Sequence, residues 1–249
     1  MTGRAVIAVT GGDREAFLQN LVTNDVGRAR GALAYAALLT PQGKYLADFL
    51  IHEDGARVLL DVAEPLAAPL LQRLAMYRLR ADVVLASTDL RVRRGTGPAP
   101  AGALADPRHP ALGWRLYGAA DGDDGTDWDA IRVEHVVPES GVELTPDTFI
   151  LEAGFERLGG VDFRKGCYVG QEVTARMKHK TELRKGLARV LVDGEAPVGT
   201  PILLADGREA GTLFTQSGGR AIAQLRFDRA EPGMAAGSAR VSPDPAWPF

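Results

Sequence analysis

The sequence predicts a fold of the α+β class, in which an antiparallel sheet with helices is followed by a small β-barrel. Three strand-like runs between residues 33 and 62 are separated by Pro41-Gln42-Gly43-Lys44 and Glu53-Asp54-Gly55, which are hairpin signals. An amphipathic helix follows at 64–80. From Leu187 onward the chain changes to short strand-like runs separated by glycine and proline, which is typical of a small barrel.

The first third of the chain has the element order of a ferredoxin-like layer. Residues 3–10 are rich in valine and isoleucine and stop at a glycine pair, as a strand before a turn does. Asp13 is placed to cap a helix that extends to about Val22. Further strands are expected at about 33–40, 45–52, 56–62 and 81–88, around the helix at 64–80. This order of strands and helices favours a ferredoxin-like α+β layer.

Two polar stretches follow this layer. Residues 95–110 are rich in glycine and proline and are predicted to form a loop or linker with little capacity for packing. Residues 118–129 contain five aspartates, but the calcium-loop pattern also needs a glutamate at its twelfth position, which is missing. We therefore expect a solvated loop that caps a helix at about 128–136.

The last quarter of the chain predicts the barrel. Its strand-like runs are 187–192, 201–204, 209–215, 220–227 and 238–242. The even spacing of these short runs indicates a small β-barrel domain. The four histidines of the chain are scattered, with no pair three or four residues apart, so a dedicated histidine metal site is not expected.

Composition sets limits on function. The chain has 249 residues, 45% of them hydrophobic and 24% charged, and a formal net charge of -3, so neither nucleic acid nor a membrane is indicated as a partner. A single cysteine excludes an intrachain disulfide and cannot hold a stable intrinsic metal cluster without ligands from elsewhere. Residues 1–6 lack the apolar core of a signal peptide, and a cytoplasmic location is predicted.

That cysteine lies in the stretch with the most reactive groups. Residues 165–172 read Lys165-Gly166-Cys167-Tyr168-Val169-Gly170-Gln171-Glu172. The stretch is either a turn with one buried structural cysteine or a functional segment in which a cation, a thiol, an amide and a carboxylate meet. From 164 to 185 there are seven lysines and arginines against two glutamates. This basic patch is either a solvated loop or a site for an anionic ligand, such as a polyglutamate tail, a phosphate or an acidic partner.

Residues 165–172 resemble the K-G-C-[YF]-x-G-Q-E signature of the YgfZ family, the folate-binding relatives of the glycine-cleavage T-protein that take part in iron–sulfur protein maturation. The resemblance extends to 12–25, 41–48 and 132–144. It implies a T-protein-like cloverleaf of three domains around a central folate-sized channel. The implied domains are a discontinuous folate-binding and motif domain (1–32 and 113–184), a ferredoxin-like domain (33–112) and a C-terminal barrel (185–249).

The resemblance also implies function. It suggests an assembly factor for [4Fe-4S] proteins, rather than a conventional enzyme, that works with A-type iron–sulfur carriers and client [4Fe-4S] enzymes. Cys167 is then the functional thiol, and Lys165 the cation that favours the thiolate. The implied ligand is tetrahydrofolate. Its expected binding residues are Asn24, Asp48, Arg132, Glu134, Tyr168, Gly170, Gln171 and Glu172.

Two alternatives stay open. The second interpretation is a tetrahydrofolate-dependent aminomethyltransferase in which Asp48 orients the pterin. T-proteins carry an adjacent aspartate pair where this chain has Leu46-Ala47-Asp48, and the single carboxylate counts against aminomethyl transfer but not against folate binding. The third is an adaptor whose basic loop docks an acidic partner, without thiol or folate chemistry. The corner Thr23-Asn24-Asp25 and the folate residues would then be capping or salt-bridged structural groups.

Overall fold

The computed structural model describes residues 3–180 and 182–247, which form two compact units. The N-terminal unit contains the residues up to 126 together with 155–175. The C-terminal unit contains 127–154 together with the residues from 176 onward. Each unit has its own hydrophobic core.

An antiparallel five-stranded sheet is the centre of the N-terminal unit. Its elements are β1 (Arg4–Thr10), α1 (Arg14–Gln19), β2 (Ala34–Leu39), β3 (Tyr45–Glu53), β4 (Val58–Ala63), α2 (Glu64–Tyr77) and β5 (Val84–Ser87). The strand order is β2-β3-β4-β1-β5. Without its edge strand β2, this is the ferredoxin-like order, so that prediction is confirmed. The sheet combines β1, which lies outside the expected ferredoxin-like domain of residues 33–112, with strands β2 to β5, which lie inside it.

Both faces of this sheet are covered, which explains the nearly continuous apolar runs of β2 and β4. On one face Phe49 and Leu60 share a core with Leu74 of α2. On the other face Leu59 packs with Val92. The core therefore holds the hairpin from β2 to β3 in a fixed position.

A three-stranded sheet covers the second face. It contains β6 (Arg91–Gly95), β7 (Leu104–Ala105) and β8 (Trp114–Gly118), in the order β6-β8-β7. The prediction that residues 95–110 form a linker with little capacity for packing is wrong. Asp106 is buried and Arg108 exposes only 10% of its side chain. This segment packs through ion pairs, which a count of apolar residues does not reveal.

A small β-barrel is the main part of the C-terminal unit, as predicted, and it is closed and has six strands. Its strands are β9 (Lys185–Asp193), β10 (Thr200–Leu203), β11 (Glu209–Ser217), β12 (Arg220–Arg226), β13 (Met234–Ala236) and β14 (Ala239–Pro243). The sequence did not predict β13. The expected helix is α3 (Trp128–His135), which Asp127 caps by accepting a hydrogen bond from the Ala130 amide at 3.0 Å. Val133 of α3 packs on Ile222 of the barrel.

Residues 136–170 connect these elements largely without regular structure, and α4 (Gln171–Lys180) follows. The sequence indicated a glycine-rich connection throughout 165–172, whereas the connection stops at Gly170. None of the described helices has the length and apolar composition needed to cross a membrane.

Candidate functional site

Two buried polar residues, Thr23 and Asn24, form a corner that holds the segment containing the cysteine. This segment is residues 159–170, which we call the anchored segment. The Asn24 side-chain amide donates to the carbonyl oxygen of Gly159 at 2.7 Å, and the Thr23 hydroxyl donates to that of Gly160 at 2.7 Å. Both corner residues are almost fully buried. Their side chains therefore bind the protein's own backbone and fix where the anchored segment begins.

Lys165 fastens the anchored segment a second time. Its Nζ donates to the carbonyl oxygens of Val22 at 2.6 Å and Asn24 at 2.8 Å, and lies 5.5 Å from the ring centroid of Tyr168. Burial lowers the pKa of Lys165 to about 8, although nearby carboxylates oppose the shift. The lysine that the sequence marked as reactive is thus held by interior contacts.

The cysteine faces outward from this fixed support. Cys167 and Gly166 are exposed, whereas Tyr168 is only 7% exposed. The first interpretation of the sequence, a turn with a buried structural cysteine, is therefore wrong. Further along, Gln171 is partly exposed and Glu172 is exposed in the first turn of α4. A thiol at the surface is accessible to another protein, and burial raises the pKa of Tyr168 beside it.

Gly170 brings the anchored segment against the turn between β2 and β3. Its φ is +82°, and an added Cβ would lie 2.6 Å from the carbonyl oxygen of Thr40 and 3.1 Å from the Cα of Gly43. Gly43 also has a positive φ, and its own added Cβ would lie 2.8 Å from Val173. Only glycine combines this backbone conformation with such close approach. The two glycines therefore set where α4 starts.

Asp48 lies in a buried polar cluster of the same unit. Its two carboxylate oxygens accept hydrogen bonds from the hydroxyls of Tyr35 at 2.9 Å and Tyr45 at 2.7 Å. The Tyr35 ring stacks on Phe155, with centroids 4.8 Å apart. Asn24 donates to the carbonyl oxygen of Tyr35 at 2.7 Å. Through Tyr35, the Asp48 cluster is thus continuous with the corner that holds the anchored segment.

A buried ion network extends from this cluster. The Arg108 guanidinium lies 5.4 Å from the Tyr35 ring centroid and bonds Asp106 at 2.7 and 2.9 Å. Asp106 also accepts from Arg115 at 3.1 Å, and Arg115 donates to Asp61 at 3.0 Å. This network was not predicted from the sequence. Its only local sign is the pair Asp106 and Arg108 within a segment rich in glycine and proline.

Electrostatics keep this network charged. Burial alone would raise the pKa of Asp106, but the charges and hydrogen bonds of Arg108, with Arg115, hold it well below its usual range. Burial likewise opposes the charge of Arg108, and Asp106 raises the pKa of that guanidinium. The pKa of Tyr35 is raised by burial and by the charge of Asp48. Tyr35 therefore stays a neutral hydrogen-bond donor at physiological pH.

Arg132 lies in the C-terminal unit and is surrounded by protein acceptors. It is 2% exposed, and its guanidinium pairs with Asp129 at 2.9 Å, Glu139 at 2.9 Å and Glu143 at 2.5 Å. Glu143 also accepts from the hydroxyl of Thr215 at 2.6 Å. This network ties α3 to β11.

Glu134 belongs to a second ion cluster in the C-terminal unit. Its carboxylate pairs with Arg220 and, at 2.7 Å, with Arg189. Arg189 also pairs with Asp244 at 2.6 Å and lies 5.5 Å from the ring centroid of Trp247. Glu134 therefore helps to hold the last residues of the described chain against the barrel.

The residues predicted for one site thus divide between two units. The N-terminal unit brings together Asn24, Asp48, Lys165, Cys167, Tyr168 and Gly170. Gln171 and Glu172 continue from them in α4, whereas Arg132 and Glu134 belong to networks of the C-terminal unit. Within residues 3–180 and 182–247, no three histidine, cysteine, aspartate or glutamate side chains gather as metal ligands.

Comparison with known proteins agrees with the barrel and gives relatives along most of the chain. Residues 184–249 match the family model described as CAF17, C-terminal beta-barrel domain. The mitochondrial iron-sulfur cluster assembly factor IBA57 of Mus musculus is 30% identical over 94% of this chain and 75% of its own length, and that of Homo sapiens is 30% identical over 90% and 76%. The IBA57 homolog of Mycosarcoma maydis is 34% identical over 73% of this chain, which spans only 54% of that protein.

Among solved structures, the glycine cleavage system aminomethyltransferase T from Bartonella henselae matches 96% of this chain and 81% of its own, with a TM-score of 0.74 and 15% identity. This likeness confirms the predicted T-protein-like fold class with its C-terminal β-barrel. The prediction of a cytoplasmic location is contradicted, because the three IBA57 proteins named above are all mitochondrial. The extent and identity of the match to the mouse protein show that this chain belongs to the family of the iron-sulfur cluster assembly factor IBA57.

Proposed function

We propose that this chain acts in iron–sulfur cluster assembly and that Cys167 is the group that meets the cluster. The observation that carries the proposal is the exposed thiol on a segment fixed on both sides, by Lys165 before it and by Tyr168 and Gly170 after it. A thiol on a rigid support can meet a metal centre on another protein with little loss of conformational freedom. The IBA57 relatives are iron–sulfur cluster assembly factors, which supports cluster assembly as the process in which this thiol acts.

The chemistry of a lone thiol requires a partner. Iron–sulfur clusters are held by several cysteine thiolates, so the cluster, as cargo, stays partly on the protein that brings it. In the proposed exchange, Cys167 loses its proton and its thiolate bonds one iron. One cysteine thiolate of the carrier leaves that iron and takes up a proton, and no electrons are exchanged. We propose A-type carriers as donors and client [4Fe-4S] enzymes as acceptors.

We also propose tetrahydrofolate as a ligand, because residues 165–172 resemble the YgfZ signature. The expected residues fit this ligand only in part. Asp48, Asn24 and Arg132 are buried and bond within the protein, whereas Glu172 is exposed. The buried residues would need to rearrange before they could contact a folate, so the exchange described above includes no step on it.

Cluster transfer tests the thiol. A cluster-loaded A-type carrier is mixed with an apo client enzyme and either the wild-type chain or Cys167→Ser, and transfer is followed by visible circular dichroism. We expect Cys167→Ser to slow transfer by at least about tenfold, and Arg240→Gln, an exposed change on the barrel, to leave it unchanged. Equal transfer by Cys167→Ser removes the thiol from the mechanism. The adaptor alternative instead predicts that Lys178→Glu with Lys180→Glu stops transfer while Cys167→Ser is silent.

Folate binding is tested separately, by calorimetric titration of the full chain with tetrahydrofolate. Saturable binding that weakens in Glu172→Gln supports the proposal, and a titration without saturation removes folate from it. The cluster assay contains no folate, so the two results are independent. For the transferase alternative, an aminomethyl-loaded lipoyl carrier is added. We expect no methylene-tetrahydrofolate, because both oxygens of Asp48 already accept hydrogen bonds from tyrosines.

A further inference from the structure

We propose that the end of α2 and the turn after it form a docking surface for an acidic segment of a partner protein, which anchors there through an apolar side chain. The surface consists of residues 73–84 with the neighbouring residues of α1. It includes no residue of the anchored segment, so it goes beyond the role proposed for Cys167.

An open cavity of about 370 Å³ lies at the centre of this surface. Phe17 and Leu21 line it from α1 and the turn that follows, and Tyr77, Leu79 and Ala81 line it from the end of α2 and beyond. Its volume is at the lower end of the range of about 300–1,000 Å³ found for ligand pockets. An apolar cavity of this size accepts one or two large side chains.

Apolar side chains at the end of α2 and in the turn after it are exposed to solvent. Leu79 is 89% exposed and Met76 is 64% exposed. Leu79 also has a φ of +43°, in the left-handed region that residues other than glycine rarely adopt. A strained backbone that presents a leucine to water is a feature expected of a binding surface.

Hydrogen bonds within the chain itself close and hold this turn. The amide of Ala81 donates to the carbonyl oxygen of Arg78 at 2.8 Å and closes the turn around Leu79. The next residue, Asp82, donates its amide to the Asp13 carboxylate at 2.8 Å, and its carbonyl oxygen accepts from the Asp13 amide at 3.2 Å. Because the surface is already ordered, a partner that docks here loses little free energy to its ordering.

Charge identifies the partner. Arg73, Arg78 and Arg80 are exposed, and none of them forms an ion pair with a residue in the described part of the chain. The nearby carboxylates of Asp13 and Asp82 accept backbone amide hydrogens of the turn. Arg78 and Arg80 line the cavity and Arg73 lies one turn earlier in α2, so this surface carries three arginines against the carboxylates of Asp13 and Asp82. Its net charge is positive, which favours an acidic segment with a hydrophobic anchor.

The test uses a fluorescein-labelled peptide of about twelve residues, mostly glutamate, with two leucines four positions apart. It is titrated into the full chain by fluorescence anisotropy, and the contacted residues are mapped by NMR. We expect saturable binding that weakens with added salt, with shifts at Phe17, Tyr77 and Leu79. Peptides with serine in place of leucine, or lysine in place of glutamate, should bind at least about tenfold more weakly.

Two variants locate the binding. Leu79→Ser removes the exposed leucine that would contact the apolar side chains of the peptide, and Arg78→Glu with Arg80→Glu reverses the charge beside the cavity. Each change should weaken binding of the leucine-containing peptide by about tenfold or more. The matched control is Val198→Ser with Arg240→Glu, an exposed apolar residue and an exposed arginine of the C-terminal unit, which should bind as wild type does. The proposal is overturned if the peptide does not bind, or if the control variant loses as much affinity for it as the other two variants do. It is also overturned if the NMR shifts fall outside residues 73–84 and α1, or if sedimentation shows that a second copy of this chain occupies the surface.

Discussion

Replacement of Lys165 by methionine should loosen the support of the exposed thiol. The change removes two hydrogen bonds from a cation to backbone carbonyls, those of Val22 at 2.6 Å and Asn24 at 2.8 Å. Such bonds contribute about 1.5–3 kcal/mol each. The ammonium is only partly buried and gives up water to make them, so we expect a net loss of about 2 kcal/mol in the free energy of unfolding. Urea titrations measure this loss, and the melting temperature should fall by about 4–8 °C.

The same variant should show where the loss arises. Amide hydrogen exchange within the anchored segment should become faster, because Lys165 joins that segment to the corner at Thr23 and Asn24. Lys185→Met is the control, since that lysine is 46% exposed and its Glu152 partner lies 3.5 Å away, and it should change stability by less than about 1 kcal/mol. The anchoring role assigned to Lys165 is refuted if Lys165→Met and Lys185→Met have the same free energy of unfolding and the amide exchange rates of Lys165→Met are those of wild type.

Other predictions concern pH dependence, backbone shape and buried charge. The pKa of Lys165 is about 8 in the folded chain and about 10.4 in the unfolded chain, so the unfolded chain binds more protons between these pH values. The free energy of unfolding of the wild type should therefore rise with pH relative to that of Lys165→Met, which urea titrations at pH 8–10 measure. Gly170→Ala should be clearly less stable by calorimetry than Gly31→Ala, because both glycines have positive φ but only Gly170 has atoms within 4 Å of an added Cβ. Arg108→Met should cost about 3–5 kcal/mol in urea titrations, since Asp106 then loses one of its two cations. The stabilisation from Asp106 is present above its unfolded pKa of about 3.9 and is lost as the pH falls toward its lower folded pKa, so Asp106→Asn should flatten the acid side of the stability curve.

Local signals in the sequence were enough for much of the fold. The turns at 41–44 and 53–55 are specified by their own residues, so the three runs around them appear as β2, β3 and β4 within one or two residues of the expected bounds. Strand β13 was missed because three residues after Pro232-Gly233 carry too little periodicity to be recognised. Residues 95–110 were misjudged because their packing depends on the ion pairs of Asp106 with Arg108 and Arg115 and on the contact of Arg108 with the Tyr35 ring, which composition does not show.

The candidate site was less predictable because its contacts join distant parts of the sequence. The segment around Cys167 could be found from its own residues, but the direction of each side chain could not. Arg108 lies over Tyr35, which is far from it in sequence. Arg132 pairs with Glu143, which also accepts a hydrogen bond from Thr215, a residue of β11 far along the chain. Long-range polar pairing leaves no periodic pattern, so only the structure identifies these partners.

The sequence presented Lys165 and Cys167 as two reactive groups of one motif, and the structure separates their roles. The lysine extends into the N-terminal unit and the cysteine two residues later is exposed, so the position of the thiol depends on the carbonyls of Val22 and Asn24. Asn24 also holds Gly159 and the backbone of Tyr35. It follows that changes in this corner alter the thiol's position without touching the thiol. In the cluster exchange that we propose for Cys167, this support therefore sets where the thiol lies.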